Sequence, residues 1–354
     1  MVHIVDIHRH PLKGWTPESL TRVKLETGGG LPFDRHFAFT SGRLENKPKP
    51  GGWVQARTFL QLTVFPELAA FRCALDESGV LTVQAPDGTS AQARVGAPED
   101  FAAANDFIQT HFEPGPHGAP HLVEQAPGRG HWDFTDTQIS IINLATVRVI
   151  AEAAGQPLER ERFRGNLYID GLEPWEEFSW PGRQLSIGDL RLDVLRPVQR
   201  CAMTSTEPGT GKRAFDLPAV MNTSFGHNFC GVYARVSAGA EIAQGDEIAC
   251  GTDLILDPHA DLPERVADPA LWPRFANFDP LGSHALVKFS AAETGWPLKD
   301  GVAGQRLRIL RVHAGETPDR APIVEAVSDG LLCHVSCLLP DEGSALISGP
   351  FGRT

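Results

Sequence analysis

The sequence predicts a mostly β chain with a few helices, an α+β protein in three units, and three observations carry that expectation. First, 35 glycines and 28 prolines in 354 residues exceed the usual combined share of ~12%, which requires many short elements and excludes a long bundle or coiled coil. Second, the apolar residues fall mainly in short alternating runs between Gly-rich corners, the pattern of half-buried strands. Third, at about 150 residues per domain the length suggests two or three compact units. The hydrophobic share of 42% and charged share of 21% are those of ordinary globular chains with a sizeable core.

Val2, Ile4 and Ile7 open a strand, and Phe37–Thr40, Leu60–Val64, Gly79–Val83 and Ala93–Val95 are further β-like runs. Gly28–Gly30, Pro48–Gly52 and Asp87–Gly88 supply the turn chemistry between them, so residues 1–120 read as a β-barrel-like domain. From Pro98 to Phe112 the period changes: Phe101, Ala104, Ile108 and Phe112 share one helical face behind the acidic pair Glu99 and Asp100. Glu113–Arg129 is rich in Pro, Gly and His and reads as a surface connection. Leu144, Val147, Ile150, Ala151 and Ala154 mark a second helix, which Gly155 and Pro157 stop. Gln184–Ile187 and Leu190–Leu195 meet at Gly188-Asp189 as a hairpin, and Gly245-Asp246 repeats the device as a hairpin or strand-entry turn. Residues 125–255 thus read as a second, mostly β domain bearing a helix. Five prolines between 258 and 280 make 256–280 a linker, and apolar runs near 286, 307 and 331 make 281–354 a small β-rich unit of unassigned role.

The formal charge of −12 opposes indiscriminate binding to nucleic acid or an anionic membrane, so an anionic ligand needs a local cluster of Arg and Lys. Polar residues interrupt Met1–His10, no apolar run reaches the ~18 residues of a membrane span, and the first strand starts too near Met1 to leave room for an anchor. The six cysteines (73, 201, 230, 250, 333 and 337) form no CxxC pair, so a reducing, cytoplasmic setting is expected.

The most informative segment is Arg196–Gly211. Cys201 follows a strand and Arg200 and precedes hydroxyl residues and a Pro-Gly turn. A neighbouring guanidinium favours the thiolate, the form that attacks electrophiles and binds soft metals. A buried, inert cysteine is the competing reading of the same residues. His8 and His10 alternate along one strand, but two histidines without a third ligand read as surface residues rather than a zinc site.

The run RCxxTxxxPxTG at Arg200–Gly211, followed by Phe225–Phe229, resembles the signature of MOSC-domain proteins. Phe163-Arg164-Gly165-Asn166 is similar to that family's FRxN, Phe134–Thr137 to its aspartate-plus-hydroxyl turn, and Gly188-Asp189 to its GD hairpin. His10–Gly14 resembles the YPxKS turn of the associated N-terminal β-barrel domain, and Phe33-Asp34-Arg35 its DR step. The resemblance spans residues 1–255 and implies a MOSC-type β-barrel, with an architecture similar to the mitochondrial amidoxime-reducing component and its bacterial counterparts.

It further implies a molybdenum cofactor (Mo-molybdopterin) between the two domains, with Cys201 as the metal's protein ligand and as a catalytic residue. Lys13 and Arg35 on one side, and Asp136, Thr137, Arg164, Asn166 and Arg200 on the other, would hold the pterin and its phosphate. That inventory suits the chemistry: Arg forks and a Lys point charge for the phosphate, Asp and Asn for the pterin edge. Asn228 is included as a residue of the same cleft, although His227 and Asn228 depart from the pairing seen in some relatives, and Gly14 stands where a hydroxyl is common. Glu207 is the first acid to consider for proton delivery.

The implied reaction is reduction of N-hydroxylated or N-oxygenated small molecules. Electrons would come from a separate ferredoxin-, cytochrome- or reductase-type donor, since Cys333 and Cys337 lack the companions of an iron–sulfur site. Sulfur transfer by a Cys201 persulfide is the rival reading, although the desulfurase partner of such proteins, with its pyridoxal-phosphate lysine motif, is not found in these 354 residues. A non-catalytic molybdopterin carrier is the third.

Overall fold

In the computed structural model, which describes residues 1–42, 51–115, 118–134, 137–225 and 228–254 and five strands between 285 and 348, the N-terminal alternation forms β1 (His3–Arg9), with Ile4 and Ile7 buried. β2 (Glu18–Leu20), β3 (Arg22–Lys24) and β4 (Phe37–Phe39) follow. β5 (Arg72–Leu75), β6 (Val80–Gln84) and β7 (Ser90–Arg94) make an antiparallel meander. One face of it, Cys73, Leu75, Leu81, Val83 and Ala93, is buried. Against it packs α1 (Phe101–His111), through the Phe101, Ala104 and Ile108 that the helical period picks out. β8 (Leu122–Glu124) pairs with β4, so the stretch expected to be a plain connection carries a strand. Its Leu122 enters the same core as Trp15, Phe37 and Phe39.

Leu60–Val64 is not a strand. Only Leu60 N donates across, to Phe39 O at 2.8 Å; Val64 and Phe65 both donate their backbone N–H to Gln61 O, and this curl ahead of Pro66 buries Leu60 and Leu62.

β9 (Ile139–Asn143) runs directly into α2 (Leu144–Ala154). Asn143 Oδ1 accepts from Ala145 N at 3.0 Å as the N-cap, and Gly155 at φ 68° ends the helix in the left-handed conformation. Then come β10 (Leu167–Asp170), β11 (Arg183–Ile187) and β12 (Leu190–Gln199), with Ile187 opposite Leu190 across the Gly188-Asp189 turn as the hairpin pattern requires. α3 (Leu217–Phe225), which the periodicity did not reveal, places Pro218 in its first turn, where no N–H is needed. β13 (Phe229–Ala238), β14 (Glu241–Ala243) and β15 (Ala249–Leu254) complete this part.

Eight of these strands form one sheet in the order β15-β11-β12-β13-β9-β10-β1-β2, antiparallel except where β9 meets β10. The chain's first strand is therefore an interior strand of the second unit's sheet, and β3 pairs with β14. The division near residue 120 does not divide the sheets. The physical reason lies in Ile4 and Ile7, which bury against Ile139, Ile141, Leu167, Ile169, Leu192 and Val232. β16 (Ala285–Leu286), β17 (Arg306–His313), β18 (Ile323–Ser328), β19 (Leu331–Cys337) and β20 (Ala345–Ser348) form an antiparallel sheet in chain order. The linker reading of 256–280 concerns residues outside the described ones. Among the described residues no helix is long and apolar enough to cross a membrane.

Candidate functional site

A cleft of about 890 Å³, measured to its open mouth, is lined by Lys13, Asp34 and Arg35 from the N-terminal residues and by Asp133, Arg164, Asn166, Arg200 and Cys201 from the second unit. Residues up to 220 positions apart in the chain, Lys13 and Tyr233, meet there because β1 lies in the same sheet as β10, β12 and β13.

Lys13 leaves the end of β1 on a turn that Gly14 completes at φ 86°, where a Cβ would stand 3.3 Å from Leu60 O. Its Nζ donates to His131 O at 2.7 Å and to Asp133 Oδ1 at 2.6 Å. Arg35 and Arg164 both hold left-handed backbone conformations, at φ 53° and 48°, which cost non-glycine residues about 1 kcal/mol or more each. Surrounding bonds impose them: Arg35 N donates to His10 O at 2.6 Å, and Arg35 O accepts from His131 N at 2.7 Å. The Arg35 guanidinium bonds Asp34 and donates to Arg164 O at 3.1 Å. Arg164 donates to Trp15 O at 2.6 Å. Burial, then the nearby Arg35 charge, lowers the Arg164 guanidinium to about 10. It is still charged at neutral pH.

Arg200 is buried and satisfied by carbonyls: Nε donates to Cys230 O at 2.9 Å and Nη1 to Phe163 O at 2.7 Å. Cys201 directly follows, at the end of β12, and caps the turn Ala202–Ser205 through its carbonyl, which accepts from Thr204 N at 3.0 Å. Its thiol is free and the residue exposed. The buried reading of Cys201 is thereby set aside.

The cleft sets four cations, Lys13, Arg35, Arg164 and Arg200, against two carboxylates, Asp34 and Asp133. An excess of two positive charges in a chain of net −12 suits a dianionic group such as a phosphate monoester. Among the described residues neither Arg164 nor Arg200 has a carboxylate within ion-pair distance.

Other expected residues stand differently. Asn166 lines the cleft, but its Oδ1 accepts from Ser140 N and Oγ and its Nδ2 donates to His8 O, so most of its amide is spent joining β9, β10 and β1. Asn228, Thr137 and Glu207 are not among the lining residues. Asn228 Nδ2 donates to Arg200 O at 2.7 Å and its carbonyl accepts from Arg200 N at 2.8 Å, a clamp on the backbone before Cys201. Glu207 accepts from Thr210 Oγ1 at 2.9 Å within its own turn. Asp136 and His227 lie outside the described residues. His8 and His10 are buried, not surface residues, because His8 Nε2 bonds Asp6 at 3.0 Å and His10 packs near Arg35 and Arg164. Among the described residues no group of three or more His, Cys, Asp or Glu is placed to hold a metal ion. Cys230 is buried and Cys250 is half-buried.

Sequence reasoning missed Asp133, Gln61, Thr63, Ser140 and Tyr233, all on the cleft wall. Ser140 and Tyr233 sit opposite each other on β9 and β13, and only the strand register reveals that they share a wall. Arg196 lies 4.3 Å from the Phe134 ring and 5.4 Å from the Tyr233 ring, stiffening that aromatic side.

Compared with known families, residues 1–119 match the MOSC N-terminal beta barrel domain and residues 109–249 the MOSC domain. Among curated proteins, a molybdenum cofactor sulfurase of Drosophila mojavensis is 28% identical over 147 residues, 38% of this chain and 19% of that protein. Molybdenum cofactor sulfurase 2 of Culex quinquefasciatus is 33% identical over 128 residues, 33% of this chain and 17% of that one. The chain thus spans under a fifth of the length of these relatives. The solved structure of the YUAD protein from Bacillus subtilis aligns with 70% of this chain and 94% of its own at 14% identity and a TM-score of 0.34.

Proposed function

Because this chain is a MOSC-domain protein carrying the associated N-terminal β-barrel domain, we propose that its cleft binds a molybdenum cofactor and reduces N-hydroxylated or N-oxygenated small molecules. One observation carries the reading: a free, exposed thiol and two guanidiniums without described carboxylate partners line the same cleft as Lys13 and Arg35. The donor set fits the group. Cys201 offers the soft sulfur that suits molybdenum, and Lys13, Arg35, Arg164 and Arg200 offer the charge that a pterin phosphate needs. When bound, such a centre supplies two-electron redox chemistry at a thiolate-ligated metal. The chain's own residues orient it: the Asn228 clamp and the Thr204 bonds to Cys201 O fix the thiol's backbone, and the left-handed Arg35 and Arg164 fix two guanidiniums. The Trp132, Phe134 and Tyr233 wall gives a substrate an apolar surface. Electrons come from a separate donor protein.

A second reading, persulfide transfer by Cys201, is favoured by the names of the matched relatives, which are molybdenum cofactor sulfurases. One experiment separates the two. Protein from a molybdopterin-producing host is assayed for molybdenum, for reduction of an N-hydroxylated amidine with a chemical electron donor, and for persulfide on Cys201 by mass spectrometry. Near-stoichiometric metal with turnover that Cys201→Ala abolishes supports the reductase. Persulfide without turnover supports transfer, and protein without molybdenum from a cofactor-replete host overturns the cofactor reading.

A further inference from the structure

The four cations of the cleft are unequally committed. Arg35 is tied to the buried Asp34, and Arg164 and Arg200 reach backbone carbonyls. Lys13 alone is held by an acid that is free to leave. The Lys13 side chain is 10% exposed and the Asp133 side chain 59%, so the cation is fixed while the anion stands open to the cleft. The Lys13 charge first, then Arg35 and Arg164, hold the Asp133 carboxyl below the ordinary carboxylate range. A carboxylate in the combined field of three cleft cations takes the electrostatic place that a ligand's anionic group would fill.

We propose that Asp133 sets the anion affinity of this cleft: it is a built-in counter-anion that an incoming anionic group must displace from Lys13. A monoanion merely replaces one negative charge with another and gains little at Lys13. A dianion brings an additional charge to Arg164 and Arg200 and prevails. The cleft therefore selects phosphate-like dianions over monoanions, a selection that rests on the anion-binding half of the cofactor reading and deepens it. Because this counter-anion is an exposed loop carboxylate, it can be removed without disturbing the core.

The test titrates the full chain at pH 8 and low ionic strength with inorganic phosphate and with nitrate, by calorimetry, for the parent, Asp133→Asn, Asp133→Ser and the double variant Lys13→Gln with Asp133→Asn. Both neutral variants at 133 should bind phosphate about five- to tenfold more tightly, and nitrate, from a weaker start, should gain by no larger a factor. Lys13→Gln combined with Asp133→Asn should lose most of that gain. If the parent and the variants all fail to bind phosphate, the anion-cleft reading itself falls. If phosphate binds but the neutral variants leave its affinity unchanged, or weaken it, only the role given to Asp133 falls.

Discussion

Glu177 is fully buried in the second unit without an ion-pair partner among the described residues, and replacing it by Gln should remove a pH-dependent destabilisation of the fold. Its carboxylate accepts from Asn143 Nδ2 at 2.8 Å, from Thr146 Oγ1 at 2.9 Å and, at 3.4 Å, from Gly231 N. These bonds favour the charged form, but burial outweighs them and pushes the group from its ordinary 4.5 up to about 7. At 1.36 kcal/mol per decade of proton affinity, that difference is worth roughly 3 kcal/mol. Below about pH 4.5 the folded and unfolded chains both hold the proton and nothing is lost. Between 4.5 and 7 the unfolded chain releases it while the folded chain retains it, so stability falls as pH rises, and above 7 the whole amount has been lost. Glu177→Gln keeps the shape and cannot ionise, at the pH-independent cost of about 1 kcal/mol for an amide facing donors. Urea unfolding of parent and variant at pH 5, 6, 7 and 8 isolates the effect, because every other titrating group cancels in the difference. The variant should gain on the parent by roughly 2 to 3 kcal/mol between pH 5 and pH 8, since a first part of the loss has already occurred at pH 5. A difference that stays flat across that range refutes the argument.

Native-state alkylation should label Cys201, which is exposed, and spare Cys73 and Cys230, whose thiols burial pushes up to about 12; peptide mapping that finds Cys73 labelled as fast as Cys201 would contradict this. Arg164→Gln removes one of the two guanidiniums without a described carboxylate partner, so calorimetry should show phosphate affinity reduced about tenfold and a weaker salt dependence. Unchanged affinity would place the anion elsewhere. Gly211 sits at φ 74°, where a Cβ would stand 2.6 Å from Pro66 O, so Gly211→Ala should lower stability by about 2 kcal/mol or more and loosen the Cys201 loop from the N-terminal residues. An unchanged melting temperature would argue against that contact.

What was legible in the sequence was local. Helix α2 has its apolar face, its Asn143 cap and its Gly155 stop within a dozen residues, and the Gly188-Asp189 hairpin needs only its own turn. The cleft was legible where spaced motifs carried it, so Lys13, Arg35, Arg164, Arg200 and Cys201 were found and do line one cavity. Asp133 carried no signal, since an acid between two aromatic residues reads like any loop carboxylate until Lys13, 120 positions away, is seen beside it. Alternation in β1 revealed a strand but not its partner, because period 2 says which face is buried and not against what. Leu60–Val64 misled for a related reason: alternate burial also occurs in a tight curl.

The placement of β1 bears on how the chain comes to be folded. β1 pairs with β2 on one side and with Leu167–Asp170 on the other, so more than 150 residues must be made after β1 before the strand on that second side exists. At synthesis rates of about 5–20 residues per second that interval lasts on the order of ten seconds. During it the Ile4 and Ile7 face lacks Ile139, Ile141, Leu167 and Ile169, which makes the nascent segment a natural client for a holding chaperone. The same pairing means that a fragment cut near residue 125 would present the whole edge of β10 to solvent, a ready template for strand addition by a second molecule. The second unit should therefore aggregate when expressed alone and be rescued by supplying residues 1–24 as a separate peptide.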